Sequence, residues 1–291
     1  MSSFNPFAKR ESHGSLALNV YRVLVPLSWV LVVVFGIFYS VRSPADISDG
    51  HRIWMQADRH NTLFSQNVVV TAIYWILLLL SQLGYIAHFF TKDSPDLTAA
   101  ANLAAHYILN NLFVFAWILL WVRNYFPGAE VILAAHFLNQ VAANCRHRSQ
   151  PTSVHLPVVA GPYAWTLMAL FWNGAMAVDS HTAGARIAAN VFIWVVMVVG
   201  AGQVFVAQDY LLGYCLSLLG LSLAIRQFAM KLDNLQWIFA WVVFAVFVVE
   251  SLYAVSTKSA GRDSLFRRTA AQQDAAATDR ERQPLLDEQA Q

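Results

Sequence analysis

LNVYRVLVPLSWVLVVVFGIFYSV, residues 18–41, carries one charge, Arg22, in an otherwise apolar run. At about 1.5 Å per residue, a helix of this length covers the roughly 30 Å of hydrocarbon in a bilayer. The pattern recurs at Val68–Phe90, Ala99–Val122, Ala129–Cys145, Leu156–Val178, Ile187–Val206, Tyr210–Ile225 and Leu235–Val255, with polar connections between. None of these runs alternates as a barrel strand does, and backbone amides in lipid must be satisfied within their own segment. The expectation is an all-α, polytopic transmembrane helix bundle of about eight spans, followed by a disordered C-terminal tail. Ala129–Cys145 and Tyr210–Ile225 sit at the short limit, so each reads as a crossing or as a re-entrant segment.

Composition agrees. The chain is 57% hydrophobic and 12% charged, whereas soluble domains are about a quarter charged. The lipid bilayer is therefore the expected surroundings, and a net charge of +2 gives no sign of a nucleic-acid partner. Cys145 and Cys215 lie in separate runs, without the close spacing of a disulfide framework or a cysteine metal site. The polar segment with Lys9 and Arg10 precedes a run too long for a signal-peptide core, so that run is expected to stay in the membrane.

Lys and Arg give the orientation. With eight spans, twelve fall on the N-terminal side and seven on the other, which puts both termini in the cytoplasm. The chain then divides into a cytoplasmic tail 1–15, a membrane domain 16–255 and a cytoplasmic tail 256–291. In the long connection 42–66, Ile53-Trp54-Met55 and Leu63-Phe64 suit either an amphipathic piece on the bilayer surface or a loop anchored by one tryptophan. Residues 258–291 hold six basic and six acidic side chains and no aromatic residue after Phe266. Such a segment buries too little apolar surface to offset its ordering entropy.

Few side chains inside the runs ionise. Glu250 is a functional-site candidate by default, or else a carboxyl reaching the interface. His106 and Asn110, spaced i, i+4, share one helix face, and His136 and Asn139, spaced i, i+3, share another. Two such faces either line a cavity or form hydrogen bonds between helices. Of the ten tryptophans, Trp121, Trp237 and Trp241 suit an interfacial belt. Trp29, Trp75, Trp117, Trp165, Trp172 and Trp194 sit deeper, where indoles pack the bundle or line a pocket for a flat apolar ligand. No spacing supplies a metal site, a cofactor motif or a catalytic pair.

In the tail, Glu281-Arg-Gln-Pro-Leu285-Leu286 resembles the acidic dileucine sorting signal read by clathrin adaptor complexes. The resemblance implies an adaptor partner and a vacuolar or endosomal membrane; an inert tail is the alternative.

The fifth run, Leu156-Pro157 … Gly161-Pro162-Tyr163-Ala164-Trp165 … Ala169 … Asn173, resembles a pattern of the tryptophan-rich sensory (TspO-like) membrane proteins. Trp165, Ala169 and Asn173 match its spacing, and Ala164 stands where that family has glycine. Ala116-Trp117 resembles a second stretch of that family, with Val114 at its asparagine position. His60-Asn-Thr-Leu-Phe … Tyr74-Trp75, the Trp117 region and Trp165 to Asn173 together resemble uncharacterised multi-pass membrane proteins of fungi, which implies no activity.

The leading functional expectation is a non-enzymatic membrane protein that binds or translocates a small, largely apolar molecule. Its lining residues would be Trp165, Asn173, Trp117, Asn110 and His106. A structural or adaptor-type protein without ligand, and an intramembrane enzyme using Glu250 and a histidine, are the alternatives.

Overall fold

A computed structural model describes residues 6–91, 96–147, 150–178, 182–232 and 235–259. In chain order the helices are α1 Ser15–Val41, α2 Ile53–Arg59, α3 Val68–Ala87, α4 Leu97–Trp121 and α5 Phe126–Arg146. They continue with α6 Thr152–His155, α7 Gly161–Ala177, α8 Ala183–Ala207, α9 Tyr210–Met230 and α10 Gln236–Ser259. Among the described residues, seven helices are long and apolar enough to cross a membrane, as a multi-pass membrane protein requires.

The bundle has an apolar core, yet it also turns large apolar side chains outward and keeps polar ones inside. Leu16, Val23, Leu27 and Ile37 of α1, Val69 and Leu80 of α3, and Ile187, Val191 and Val198 of α8 all face outward. Asn110, Asn111, His136, Gln140, Thr166 and Asn173 lie inside. Water would reverse that arrangement, whereas hydrocarbon enforces it, because a polar atom in lipid needs a protein partner. Most of Thr152–Ala177 is buried, so this is the innermost crossing; its α7 part packs against α5, α8 and α9.

Cross-helix contacts sort into two ends. Asn102 with Arg10, Ser153 with Asp96, and Thr257 with Gln208 meet at what we call the tail end. Arg123 with Asp46, Gln56 with Trp121, and Arg226 with Asp58 meet at the loop end.

The two short runs become full helices. α9 continues to Met230, and α5 starts at Phe126, with Pro127 in its first turn, where a missing N–H costs nothing. α5 is not among the seven apolar helices. Its polar face is turned onto α4, along which it runs antiparallel, as the pairs His106 with Asn139 and Asn110 with His136 require. Val131 and Leu138 occupy its outer face.

Connection 42–67 docks into the loop end of the bundle. Gln56 of α2 is fully buried and donates to the Trp121 carbonyl at 2.8 Å. Gln227 donates to the carbonyls of Thr62 and Ser65, and Gln236 to that of Leu63. Leu63 and Phe64 enter the core. The backbone of this loop obtains from glutamines the partners that water would otherwise supply.

A π-helical turn, Leu156–Ala160, joins α6 to α7 between Pro157 and Pro162. In a π register the N–H of residue 162 would bond the carbonyl of residue 157, and proline has none. The Gln82 side chain takes that place, donating to Pro157 O at 3.3 Å.

Glycines set the approach of the last three helices. A Cβ at Gly213 of α9 would lie 2.3 Å from Ser251 Oγ of α10, and one at Gly200 of α8 would lie 2.9 Å from the Phe247 ring. Small residues at such crossings let helix backbones pack closely in lipid, where association rests on packing.

Candidate functional site

The expected lining residues fall into two adjoining groups. Trp165 and Trp117 belong to an aromatic cluster. The Trp165 ring centroid lies 5.0 Å from Trp75, 5.6 Å from Trp117 and 6.5 Å from Trp172, each near edge-to-face. Trp121 closes the group at 5.0 Å from Trp117 and 5.2 Å from Trp172. These distances are those of favourable aromatic pairs. Trp121 is therefore interior, at 1% exposure, and no part of an interfacial belt; its end-of-helix position hid that, because docked α2 covers it. Its indole N–H reaches the Ile53 carbonyl at 3.2 Å. The indole nitrogens of Trp117, Trp165 and Trp172 are buried with no hydrogen-bond partner among the described residues.

Asn173 lies two turns beyond Trp165 along α7, fully buried. Its amide donates to the Phe126 carbonyl at 2.9 Å and to the Glu130 carboxylate at 2.8 Å. Gly174 makes the room: a Cβ there would stand 3.3 Å from that carboxylate. Glu130 is a site residue that sequence reasoning missed. It sits in the first turns of α5, where a carboxylate reads as a favourable helix-start charge.

His106 and Asn110 belong to the second group, a polar seam between α4 and α5. His106 Nδ1 donates to Asn139 Oδ1 at 2.7 Å, and Asn139 Nδ2 donates back to the His106 carbonyl at 3.1 Å. His136 Nε2 and Gln140 Nε2 both donate to Asn110 Oδ1. Asn110 donates to Asn111 at 3.1 Å, Asn111 to Ser28 of α1 at 3.0 Å, and Ser28 to the Val25 carbonyl. Thr166 of α7 joins through its hydroxyl, 3.3 Å from His136 Nδ1. The two faces read from spacing thus meet each other, and α1 and α7 add a hydroxyl each. Each such bond between membrane helices contributes under about 2 kcal/mol.

At the tail end, the His155 ring lies 2.6 Å from the Asp209 carboxylate, which also caps α9 by accepting from Leu212 N–H. Burial acts to raise the Asp209 carboxyl, but the His155 bond and charge and the backbone N–H groups of Leu212 and Leu211 hold it below its ordinary value. His147, just past α5, is pulled down to about 4 by burial and by the neighbouring His106, Lys9 and Arg146. At the loop end, bonding to Arg123 lowers Asp46.

Glu250 is half-buried on α10, and its Oε2 has no hydrogen-bond partner among the described residues. α10 extends to Ser259, so Glu250 stands about two and a half turns before the helix end. Among the described residues, no three His, Cys, Asp or Glu side chains gather closely enough to hold a metal ion. Glu281, Leu285 and Leu286 lie outside the described residues.

Residues 186–286 match a family model described as a fungal protein of unknown function (DUF1774). That stretch takes in α8 from Arg186, then α9, α10 and most of the C-terminal tail. No curated protein and no solved structure matches the chain.

Proposed function

We propose that this multi-pass membrane protein binds a small, largely apolar molecule that carries a hydrogen-bond acceptor, at the indole cluster of Trp117, Trp165 and Trp172. The observation that carries this reading is the three buried indole N–H groups without partners in one aromatic cluster. A buried donor left unpaired costs about 1–3 kcal/mol, and a carbonyl or ether oxygen on a flat apolar molecule relieves it. Asn173 borders the cluster, and its Oδ1 is likewise unpartnered. The resemblance of Trp165, Ala169 and Asn173 to the TspO-like spacing supports the same reading. His106 and Asn110 stand one layer away, joined to the cluster through Thr166.

Benzophenone, an apolar diaryl ketone that photolabels its site, tests the reading on the full chain in lipid nanodiscs. Saturable labelling of the peptide containing Trp165 is expected, with weaker labelling in Trp165→Phe, which keeps an aromatic ring and removes the N–H. Labelling that never saturates, or that is identical in Trp165→Phe, overturns it. The close edge-to-face ring distances favour a second reading, in which the indoles serve packing alone; equal labelling together with a lowered melting temperature selects it.

The tail motif supports residence in a vacuolar or endosomal membrane, through capture of Leu285 and Leu286 by a clathrin adaptor complex. Replacing both leucines with alanine relocates a tagged protein if this is so; unchanged localisation removes the idea.

A further inference from the structure

The α4–α5 seam holds more polar atoms than it satisfies. His106, Gln140 and His147 are each at least 98% buried. Among the described residues, His106 Nε2, Gln140 Oε1 and both ring nitrogens of His147 have no hydrogen-bond partner. These atoms follow one path. The His147 ring lies 5.8 Å from His106 at the tail end, His106 leads to Asn139, and Gln140 donates to Asn110, whose oxygen also accepts from His136, near the middle of α4 and α5. Most of the unmet atoms are lone pairs. His106 spends its Nδ1–H on Asn139, which leaves Nε2 as an acceptor, and Gln140 spends its amide N–H on Asn110. The occupant that fits is a small donor able to bridge several acceptors in a polar space, which is water.

The N-terminal segment lies across the outer end of this path. The Phe7 ring centroid lies 4.9 Å from that of His106, the two rings tilted at 59°. Asn102 clamps the segment, accepting from Arg10 N–H at 2.8 Å and donating to the Arg10 carbonyl at 2.9 Å, with His13 3.1 Å from the same Asn102 oxygen. Beside the clamp is a cavity of about 520 Å³ whose lining includes Lys9, Arg10, Thr98 and Asn102.

We propose that the α4–α5 seam is a water-filled half-channel, running from the tail end to His136 in the middle of the bilayer, with Phe7 as its stopper. The inference does not rest on ligand binding at the indoles, since no tryptophan belongs to the path.

The test uses the full chain in nanodiscs, in a Cys145→Ser, Cys215→Ala background, with a charged, membrane-impermeant methanethiosulfonate reagent. Gln140→Cys is expected to react, whereas Leu138→Cys, one helix face away and turned outward, stays protected. Adding Phe7→Ala should speed the Gln140→Cys reaction by about tenfold, as loss of one ring contact permits. Gln140→Cys as inert as Leu138→Cys, with or without Phe7→Ala, overturns the proposal. If Gln140→Cys fails to fold, hydroxyl-radical footprinting of the unaltered chain decides. Oxidation of His106 and His147 well above that of buried Tyr85 supports the half-channel, and equal protection of all three overturns it.

Discussion

The Thr166 hydroxyl lies 3.3 Å from His136 Nδ1 and 2.6 Å from the Pro162 carbonyl, and its one proton is shared between these two acceptors where α7 meets the α4–α5 seam. Trp165, the neighbouring residue, faces the indole cluster. The polar seam and the aromatic cluster therefore share a single turn of the innermost helix. Thr166→Val keeps the shape and removes the hydroxyl. We expect a loss of about 0.5–2 kcal/mol, the range of one hydrogen bond between membrane helices, read as a lower melting temperature in nanodiscs. An unchanged melting temperature would mean that the contact contributes nothing to stability.

Gly213 and Gly202 should behave oppositely. A Cβ at Gly213 meets Ser251 of α10 at 2.3 Å, but nothing lies within 4 Å of one at Gly202. Gly213→Val should cost about 1–3 kcal/mol or more through overpacking. Gly202→Ala should be neutral or stabilise by up to about 1 kcal/mol through helix propensity. Paired thermal melts check both; equal effects would contradict the α9–α10 packing.

Gln82 substitutes for the N–H that Pro162 lacks. Gln82→Leu leaves the Pro157 carbonyl buried and unpaired, at a cost of about 1–3 kcal/mol. Gln82→Glu, which removes the amide donor, should cost at least as much at neutral pH. Stability of both variants by fluorescence-detected melting is the check, and full retention by Gln82→Leu would refute the role.

His147 makes stability depend on pH. Its folded-state value is depressed from 6.5 to about 4, so between those values the unfolded chain binds more protons than the folded one. The contribution is complete above about 6.5 and is lost progressively as pH falls toward about 4. Melting temperatures measured across that window should decline on acidification, and the decline should be shallower in His147→Gln. Identical slopes would assign the acid sensitivity elsewhere.

Much of this was legible before any coordinates. Length and apolarity give eight runs, and among the described residues seven of the corresponding helices are long and apolar enough to cross a membrane. The pairs His106 with Asn110 and His136 with Asn139 were already on single helix faces. What spacing could not show is that the two faces meet, since the register of α4 on α5 depends on how both pack against α1 and α7. Glu130 escaped notice because its partner, Asn173, is 43 residues away. Trp121 looked interfacial because nothing local says that α2 folds back over it.

The polypeptide alone settled its solvent: helices this long and apolar have to bury their outer faces in hydrocarbon, and lipid then demands that polar side chains turn inward. Only the tertiary structure decided which polar side chains answer one another, and which, among the described residues, are buried without a protein partner. The physical reason is that apolarity is a property of a segment, whereas a hydrogen bond needs two atoms within about 3 Å, and distant helices reach that separation only after the bundle has chosen its register.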